Sequence, residues 1–437
     1  MFYILSQGIL FRGVVLLRYI ALPLAFLLFG IFSLSANAQN ISANRQLTLS
    51  DAISFTLDQN PQLHQFRVKR DGLFGQRASS NLSPVLSLDV EVENFTGSGD
   101  FSGVNASETT ISLSSVIELG SKRAQRTSVV DAQLDVLEYQ RQAFTLDVLG
   151  ELSILFVETL EIQELTALAI EARELTRNTL NIVEDRSNRG AAPEYEVKRA
   201  IAANAQAQLQ VEALIKQSER NLIRLAAFWG DTSGRFQKLS GDLYSFGQQP
   251  EFSELYQRAL DSPAIEMFAS EARLKTAELQ LAQTQSKPDI SWQIGFRRIQ
   301  ETSDSAFTAG VSIPLFSGGR NNGAVATAMA ARDEVAFRRK ANSLQLHSRL
   351  FEAFSQREQY INSAEVFQTT IIPQLASALE STQQAYETGR YSYLDWIAAQ
   401  KELLSAKQAL IESAASASVN QVVIEQLTSE PLNETQF

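Results

Sequence analysis

One chain of 437 residues carries the same order of helical and strand-like patterns twice, and this duplication is the strongest constraint on its fold. Gly120 and Gly190 interrupt long helical patterns in the first half, and Gly319 and Gly389 do so in the second. The offset from 120 to 319 equals the offset from 190 to 389, 199 residues in both cases. Two separate landmarks with one offset indicate an internal repeat. We therefore predict a first repeat over residues 39–240 and a second over residues 241–430.

Residues 1–38, which precede the repeats, have the pattern of a secretory signal peptide. Arg12 and Arg18 come before an apolar run over residues 19–34, and a small-residue cleavage site follows at 36–38. An uncleaved membrane anchor is the alternative. The apolar run is shorter than the roughly 20 residues that a spanning helix needs, and it contains Pro23. Cleavage is therefore the favoured prediction.

The composition argues against several classes of function. The net charge of −11 disfavours nucleic acid as a partner, because binding phosphates requires a basic surface. The chain has no cysteine, which excludes disulfide frameworks and thiolate metal sites. His64 and His347 lie in helical patterns without acids at metal-ligand spacing, and no hydrolase, metalloprotease or nucleotide-binding motif is found. The sequence thus predicts no catalytic residue, no metal site and no cofactor, so the protein is not expected to be an enzyme.

Long helices are predicted in each repeat, over about 121–229 and about 320–428. Residues 121–187 contain no proline and only one glycine, Gly150, so a continuous helix there would span about 100 Å. Helices of this length are typical of coiled coils. Pro373 is expected to kink the corresponding helix of the second repeat. From the helices alone, a periplasmic coiled-coil protein without a transport role remains an alternative.

A strand hairpin is predicted before the long helices of each repeat, over about 85–118 and about 289–316. Apolar and polar residues alternate in these strands, whose length of about ten residues suits a tilted strand crossing a membrane. A glycine-rich loop over residues 96–103 is predicted to be the tip of the first hairpin, at the cell exterior. A soluble, half-buried sheet gives the same alternation.

Four strands cannot close a barrel around water, and open sheet edges are not stable in lipid. The membrane interpretation therefore requires several chains to pool their strands. One face would then meet outer-membrane lipid, and the other would line a lumen. The predicted lumen-facing residues are Asp89, Glu91, Glu93, Gln293 and Arg297.

Three segments make the chain similar to a known family. Residues 386–395 read Tyr-Glu-Thr-Gly-Arg-Tyr-Ser-Tyr-Leu-Asp, and residues 311–320 form a strand-to-helix passage that ends in Gly-Gly-Arg. With the duplicated architecture, they resemble the TolC family of outer-membrane efflux proteins. Residues 117–123 resemble its heavy-metal (CzcC-like) branch. The resemblance implies an α+β membrane protein: a homotrimeric β-barrel with four strands per protomer, continued by a long periplasmic α-helical coiled-coil barrel.

The resemblance also implies a location and a function. The chain would lie in the outer membrane with a periplasmic extension, and would be the passive exit duct of a tripartite efflux system. Its partners would be two further copies of itself, a periplasmic adaptor and an inner-membrane RND-type pump. Metal cations are the favoured cargo. Drug efflux and type I protein secretion remain alternatives, because the same conduit serves all three.

The two glycine hairpins would form the periplasmic gate and contact the adaptor. The residues that the resemblance assigns to them are Gly190, Glu196, Tyr386, Gly389, Arg390 and Asp395. Asp395 falls on the position of a constricting acid, and Tyr386 and Glu196 fall on positions that pair between neighbouring hairpins. Tyr391 and Ala398 depart from the family pattern, since an arginine and a second acid are expected there. An acid near a helix start also has a purely local use, stabilised by the helix dipole.

Overall fold

The computed structural model describes residues 46–233, 236–248, 250–315 and 319–430, so the predicted signal peptide at 1–38 lies outside the described residues. The main elements occur in the same order twice. The first series is α1 (Leu49–Gln59), α2 (Pro61–Ser80), β1 (Ser87–Glu93), β2 (Glu108–Ile117), α3 (Lys122–Asn188) and α4 (Glu194–Ala227). The second is α5 (Phe252–Leu260), α6 (Pro263–Gln285), β3 (Ile290–Ile299), β4 (Ser305–Ser312), α7 (Asn322–Val366), α8 (Ile372–Glu387) and α9 (Tyr393–Thr428).

Polar caps and prolines begin the short helices of both series. The Thr48 hydroxyl accepts a hydrogen bond from the Asp51 N–H at 3.1 Å at the start of α1. Asn60 caps α2 by accepting from the Gln62 N–H at 2.8 Å, and Pro61 follows as the first helical residue. Proline suits this position because its fixed φ is already helical and its missing N–H would have no partner there. Pro263 starts α6 in the same way.

The long helices are built as one continuous segment and one interrupted segment. Helix α3 has 67 residues, which corresponds to about 100 Å. The matching segment of the second series contains a π-helical turn over Phe367–Ile371, between α7 and α8. Pro373 lies two residues after the end of this turn, lacks an N–H and crowds the carbonyl four residues earlier, which is within the turn. The irregularity predicted from Pro373 therefore takes the form of a π turn.

Gly150 allows α3 and α9 to approach closely. A Cβ at this position would lie 2.8 Å from Cδ of Gln426 on α9. The Gln426 amide donates to the Asp147 carboxylate at 2.8 Å beside it. The largest hydrophobic core lies next to this contact, where α3, α4, α9 and the segment around Leu239 meet. Leu47 and Leu239 form a parallel bridge across that core.

The four strands form one antiparallel sheet in the order β1-β2-β3-β4. Opposed residues lie on the same face, so Val90, Ile111, Phe296 and Phe307 form one apolar row. This face is uncovered in the single chain, and Phe307 is 90% exposed. Val116, which breaks the alternation of β2, pairs with Ser291 on the opposite, polar face. No helix in the described part of the chain is long and apolar enough to cross a membrane.

Residues 117–123 form the junction between the sheet and the helices. The Lys122 ammonium donates to the Asp289 carboxylate and to the Lys287 carbonyl, both at 2.8 Å. The Asp289 carboxylate also accepts from the Leu119 N–H at 3.2 Å. Arg126 pairs with Glu118 at the end of β2. These contacts link the two series of elements and fix how the sheet sits on the helices.

Candidate functional site

The chain reverses twice at the end of the long helices that lies away from the sheet. Gly190 (φ 74°) lies between α3 and α4, and Gly389 (φ 76°) lies between α8 and α9. The N–H of Ala191 donates to the Arg186 carbonyl at 2.8 Å, and the N–H of Arg390 donates to the Ala385 carbonyl at the same distance. Glycine is suited to both reversals because it adopts positive φ without a steric cost. We call the segments around these glycines the first and second hairpins.

Buried side chains from both hairpins pack into one group, which we call the tip cluster. Tyr386 stacks on Trp396 with ring centroids 5.0 Å apart, and it contacts the Tyr393 ring edge-on at 6.2 Å. Each large side chain buried in this way contributes about 1.5–3 kcal/mol. The structure thus brings the two hairpins together through an aromatic core. The buried members of the tip cluster are Val183, Ala200, Tyr386, Tyr393 and Trp396.

Glu196 and Tyr386 meet inside this cluster. The Tyr386 hydroxyl donates to Oε2 of Glu196 at 2.9 Å. Tyr386 is only 3% exposed and Glu196 only 8%. Burial, with the hydrogen bond to Glu196, raises the pKa of Tyr386 above its usual value. A second buried polar contact lies further along the helices, where the Gln400 amide donates to the Thr179 hydroxyl at 2.8 Å.

Asp395 and Arg390 lie at the hairpins but outside the tip cluster. Asp395 is exposed, and its carboxylate accepts hydrogen bonds from the hydroxyl and the N–H of Ser392 at 2.7 and 3.1 Å. With the reciprocal bond from the Asp395 N–H, they form a capping box at the start of α9. The Ser392 bonds lower the pKa of Asp395. In one chain the acid is thus occupied locally, and its role in constricting a pore stays a prediction.

The sequence interpretation missed residues that join the hairpins. Arg186 on α3 donates to the carbonyl of Glu387 on α8 at 2.6 Å. Trp396 supplies the ring on which Tyr386 stacks. A basic residue in the last turn of a helix is a recognisable signal, because it complements the helix dipole. The spatial closeness of α3 to the second hairpin has no such signal in one sequence.

The five strand residues predicted to face a lumen lie on one polar face of the sheet. Arg297 lies among the charged side chains of this face, and its guanidinium nitrogens are 3.1 Å from a carboxylate oxygen of Glu93 and 2.9 Å from one of Glu108. The Gln293 amide donates to the Ser112 hydroxyl at 2.7 Å. Asp89 lies along the same face, where it accepts a hydrogen bond from the Ser114 hydroxyl at 2.8 Å, and Glu91 lies opposite Thr110 in the same row as Arg297. Glu108 belongs to this network but was not predicted.

Known proteins resemble the chain in sequence. The model of the "outer membrane efflux protein" family matches residues 255–430. The cobalt-zinc-cadmium resistance protein CzcC of Cupriavidus metallidurans is 26% identical over 364 residues, which cover 83% of this chain and 85% of that protein. The nickel-cobalt-cadmium resistance protein NccC of Alcaligenes xylosoxydans xylosoxydans is 24% identical over 256 residues, 58% of this chain and 57% of that protein.

Solved structures share the fold over most of the chain. The outer-membrane channel OprN matches with a TM-score of 0.74 at 18% identity, covering 88% of this chain and 90% of that one. CusC matches with a TM-score of 0.72 at 15% identity, covering 87% and 91%. The outer membrane protein VceC of Vibrio cholerae also has a TM-score of 0.72, with 17% identity over 88% of this chain and 97% of that one. The predicted α+β fold is confirmed by these likenesses.

Proposed function

We propose that the chain is a member of the outer membrane efflux protein family and the channel subunit of a tripartite efflux system, as the match of residues 255–430 and the similarity to CzcC support. It is a protein of the cell outer membrane. In this proposal it forms a passive exit duct and catalyses no reaction. An inner-membrane pump of the RND type supplies the driving force, and a periplasmic adaptor connects the pump to the hairpins.

The observation that carries the proposal is the two-faced sheet. Its apolar face, with Phe307 and Ile294, is uncovered in the single chain, while charged side chains occupy the other face. Lipid outside and water inside would satisfy both faces. Strands β1 and β4 each leave one edge unpaired in the single sheet. Because open edges are not stable in lipid, several copies must pair these edges to close a barrel. We propose three copies, as the family resemblance implies.

The helices extend the proposed duct toward the inner membrane. Helix α3 alone corresponds to about 100 Å, about three times the roughly 33 Å length of the ten-residue strand β3. The two hairpins end this extension, so they are the parts placed to contact an adaptor. The hydrogen bond from Tyr386 to Glu196, and the packing around it, hold the hairpins together in the present arrangement. We propose that this arrangement is the closed state of a periplasmic gate.

Metal cations are the proposed cargo. The relatives CzcC and NccC are named for resistance to cobalt, zinc, cadmium and nickel. The polar face of the sheet carries Asp89, Glu91 and Glu93 beside Arg297. Repeated in several copies, such acids would form rings that favour cations over anions. The pump selects the cargo in this proposal, and the duct only admits it.

A deletion strain tests the function. Loss of this chain should lower the concentrations of zinc, cobalt, cadmium or nickel that stop growth, and leave tolerance to detergents and hydrophobic drugs unchanged. Expression of the wild-type chain should restore tolerance. Sensitivity to detergents and drugs without sensitivity to metals would instead indicate drug efflux. Loss of a secreted protein would indicate type I secretion, and unchanged tolerance and secretion would contradict the efflux proposal.

A further inference from the structure

One arginine reaches from the first hairpin to the second. Arg186 lies in the last turn of α3, and its Nη1 donates to the carbonyl of Glu387, the last residue of α8, at 2.6 Å. Its Nη2 donates to the carbonyl of Ala191 in the first hairpin at 3.2 Å. The guanidinium carbon lies 4.7 Å from the centroid of the Tyr386 ring. A single side chain therefore contacts the backbone of both hairpins and the ring of Tyr386, whose hydroxyl donates to Glu196.

The chemistry of these contacts favours arginine. The carbonyls at the end of a helix have no partner within the helix and carry a partial negative charge. A guanidinium presents its donors in a rigid planar fork, so it can bind two carbonyls in fixed positions, whereas an ammonium is a compact point charge. Its flat face also suits the Tyr386 ring. The Nε of Arg186 is buried without a hydrogen-bond partner among the described residues. Burying that donor is unfavourable, so the remaining contacts must offset it.

Neighbouring arginines do not make the same connection. Arg189, one turn further on, pairs with Asp185 of its own helix at 3.4 Å, and its side chain is 74% exposed. Arg390, which is nearest to the family's arginine position, is exposed at the second hairpin. Arg199 lies over the Tyr393 ring, at a longer distance of 5.8 Å. Several arginines thus lie near the hairpins, but of these four only Arg186 contacts the backbone of both hairpins.

We infer that Arg186 is a positioning residue that ties the two hairpins together and orients Tyr386 toward Glu196, so that the hairpins separate only when its contacts break. The inference rests on the proposed function in that the hairpins are taken as the gate of a duct. The residue that joins the hairpins thus lies on α3, in the first repeat, whereas the hairpin pattern that resembles the family lies at residues 386–395 of the second repeat.

Tryptophan fluorescence tests the tie without requiring a channel. The chain has three tryptophans, so replacing Trp229 and Trp292 by phenylalanine leaves Trp396 as the reporter. Trp396 is buried against Tyr386. In purified full-length protein, Arg186→Ala should shift the Trp396 emission to the red and increase its quenching by acrylamide. Arg189→Ala removes the same charge from the same helix end and should leave both unchanged.

Planar-bilayer recording tests the consequence for gating. Arg186→Ala should raise the open probability about tenfold or more, because hydrogen bonds from a charged donor and a cation–π contact are lost together. Arg189→Ala should stay near wild type. Arg186→Lys should lie between the two alanine variants, since an ammonium retains the charge but cannot bridge both carbonyls. Far-UV circular dichroism identifies any variant that fails to fold, and Arg186→Lys decides the test if Arg186→Ala does not.

The outcomes separate the two proposals. Equal fluorescence for the Arg186 and Arg189 variants would overturn the tie, whatever the conductance. A fluorescence change in Arg186→Ala, with no conductance from any variant or from wild type, would support the tie and contradict the duct. A fluorescence change with conducting channels whose open probability is unchanged would overturn the role of Arg186 in gating.

Discussion

Replacing Tyr386 by phenylalanine removes one hydroxyl from the tip cluster and leaves its ring in place. The ring can still stack on Trp396, because that contact does not use the hydroxyl oxygen. What is lost is the donor to Oε2 of Glu196, at 2.9 Å, together with the weaker contact of the hydroxyl with the Arg186 side chain. Glu196 remains only 8% exposed, so water replaces that donor poorly. The substitution therefore removes the polar contacts of one buried hydroxyl, chiefly its bond to Glu196, and keeps the packing of the ring.

The size of the effect follows from this bond. A hydrogen bond to a charged group contributes about 1.5–3 kcal/mol, and every 1.4 kcal/mol changes an equilibrium about tenfold. Tyr386→Phe should therefore raise the open probability of single channels in planar bilayers by about tenfold to a hundredfold. In a Glu196→Gln background the same change should have a smaller effect, because both variants weaken one bond.

Tyr195→Phe is the matched control. The Tyr195 hydroxyl lies 3.5 Å from the other oxygen of Glu196, at the limit of hydrogen bonding, and Tyr195 is 59% exposed. Its loss should change the open probability by about twofold at most. If the Tyr386 and Tyr195 variants behave alike, or if the effects of Tyr386→Phe and Glu196→Gln simply add, the reasoning about this bond is refuted.

Three further predictions concern stability and membrane insertion. Burial raises the pKa of Glu425 to about 7 from 4.5, so its contribution to stability is present below about pH 4.5 and lost as the pH rises through 7. Glu425→Gln should therefore raise the free energy of unfolding at pH 8 by about 1–3 kcal/mol, seen as a higher melting temperature, and change it little at pH 4.5. Equal changes at the two pH values would contradict this prediction. Gly72→Ala, with open space around the added Cβ, should stabilise α2 by about 1 kcal/mol, and a lower melting temperature for this variant would contradict the prediction. Ile294→Arg on the apolar face should reduce the amount of oligomer recovered from outer membranes, because an arginine facing lipid near the membrane centre costs about 2–4 kcal/mol. Gln293→Arg on the polar face should leave the recovery unchanged. Equal recovery of the two variants would argue against lipid contact.

Much of the fold follows from local sequence patterns. Strand alternation predicts which residues share a face, and the strand register puts Asp89, Glu91 and Arg297 on one face of the sheet. Proline and glycine signal helix starts and reversals because their backbone restrictions act locally, as at Pro61 and Gly190. In the structure the strand hairpins span residues 87–117 and 290–312, and the long helices span residues 122–227 and 322–428.

Contacts between distant segments could not be predicted in the same way. Arg186 and Glu387 are 201 residues apart, and no periodicity in either segment indicates that they meet. The capping box between Ser392 and Asp395 is local, and it shows that an acid assigned to a pore also has a partner three residues away. The Tyr386–Glu196 pairing came from the family resemblance, since residues on different hairpins have no shared sequence signal.

We propose that several copies of this chain form a water-filled duct across the outer membrane. Planar-bilayer recording on the purified oligomer, taken unheated from outer-membrane fractions, tests it most directly. An SDS-resistant oligomer should give discrete conductance steps, and these steps should disappear once heating has converted the oligomer to monomers. A soluble monomer that gives no conductance steps at any concentration would contradict the account.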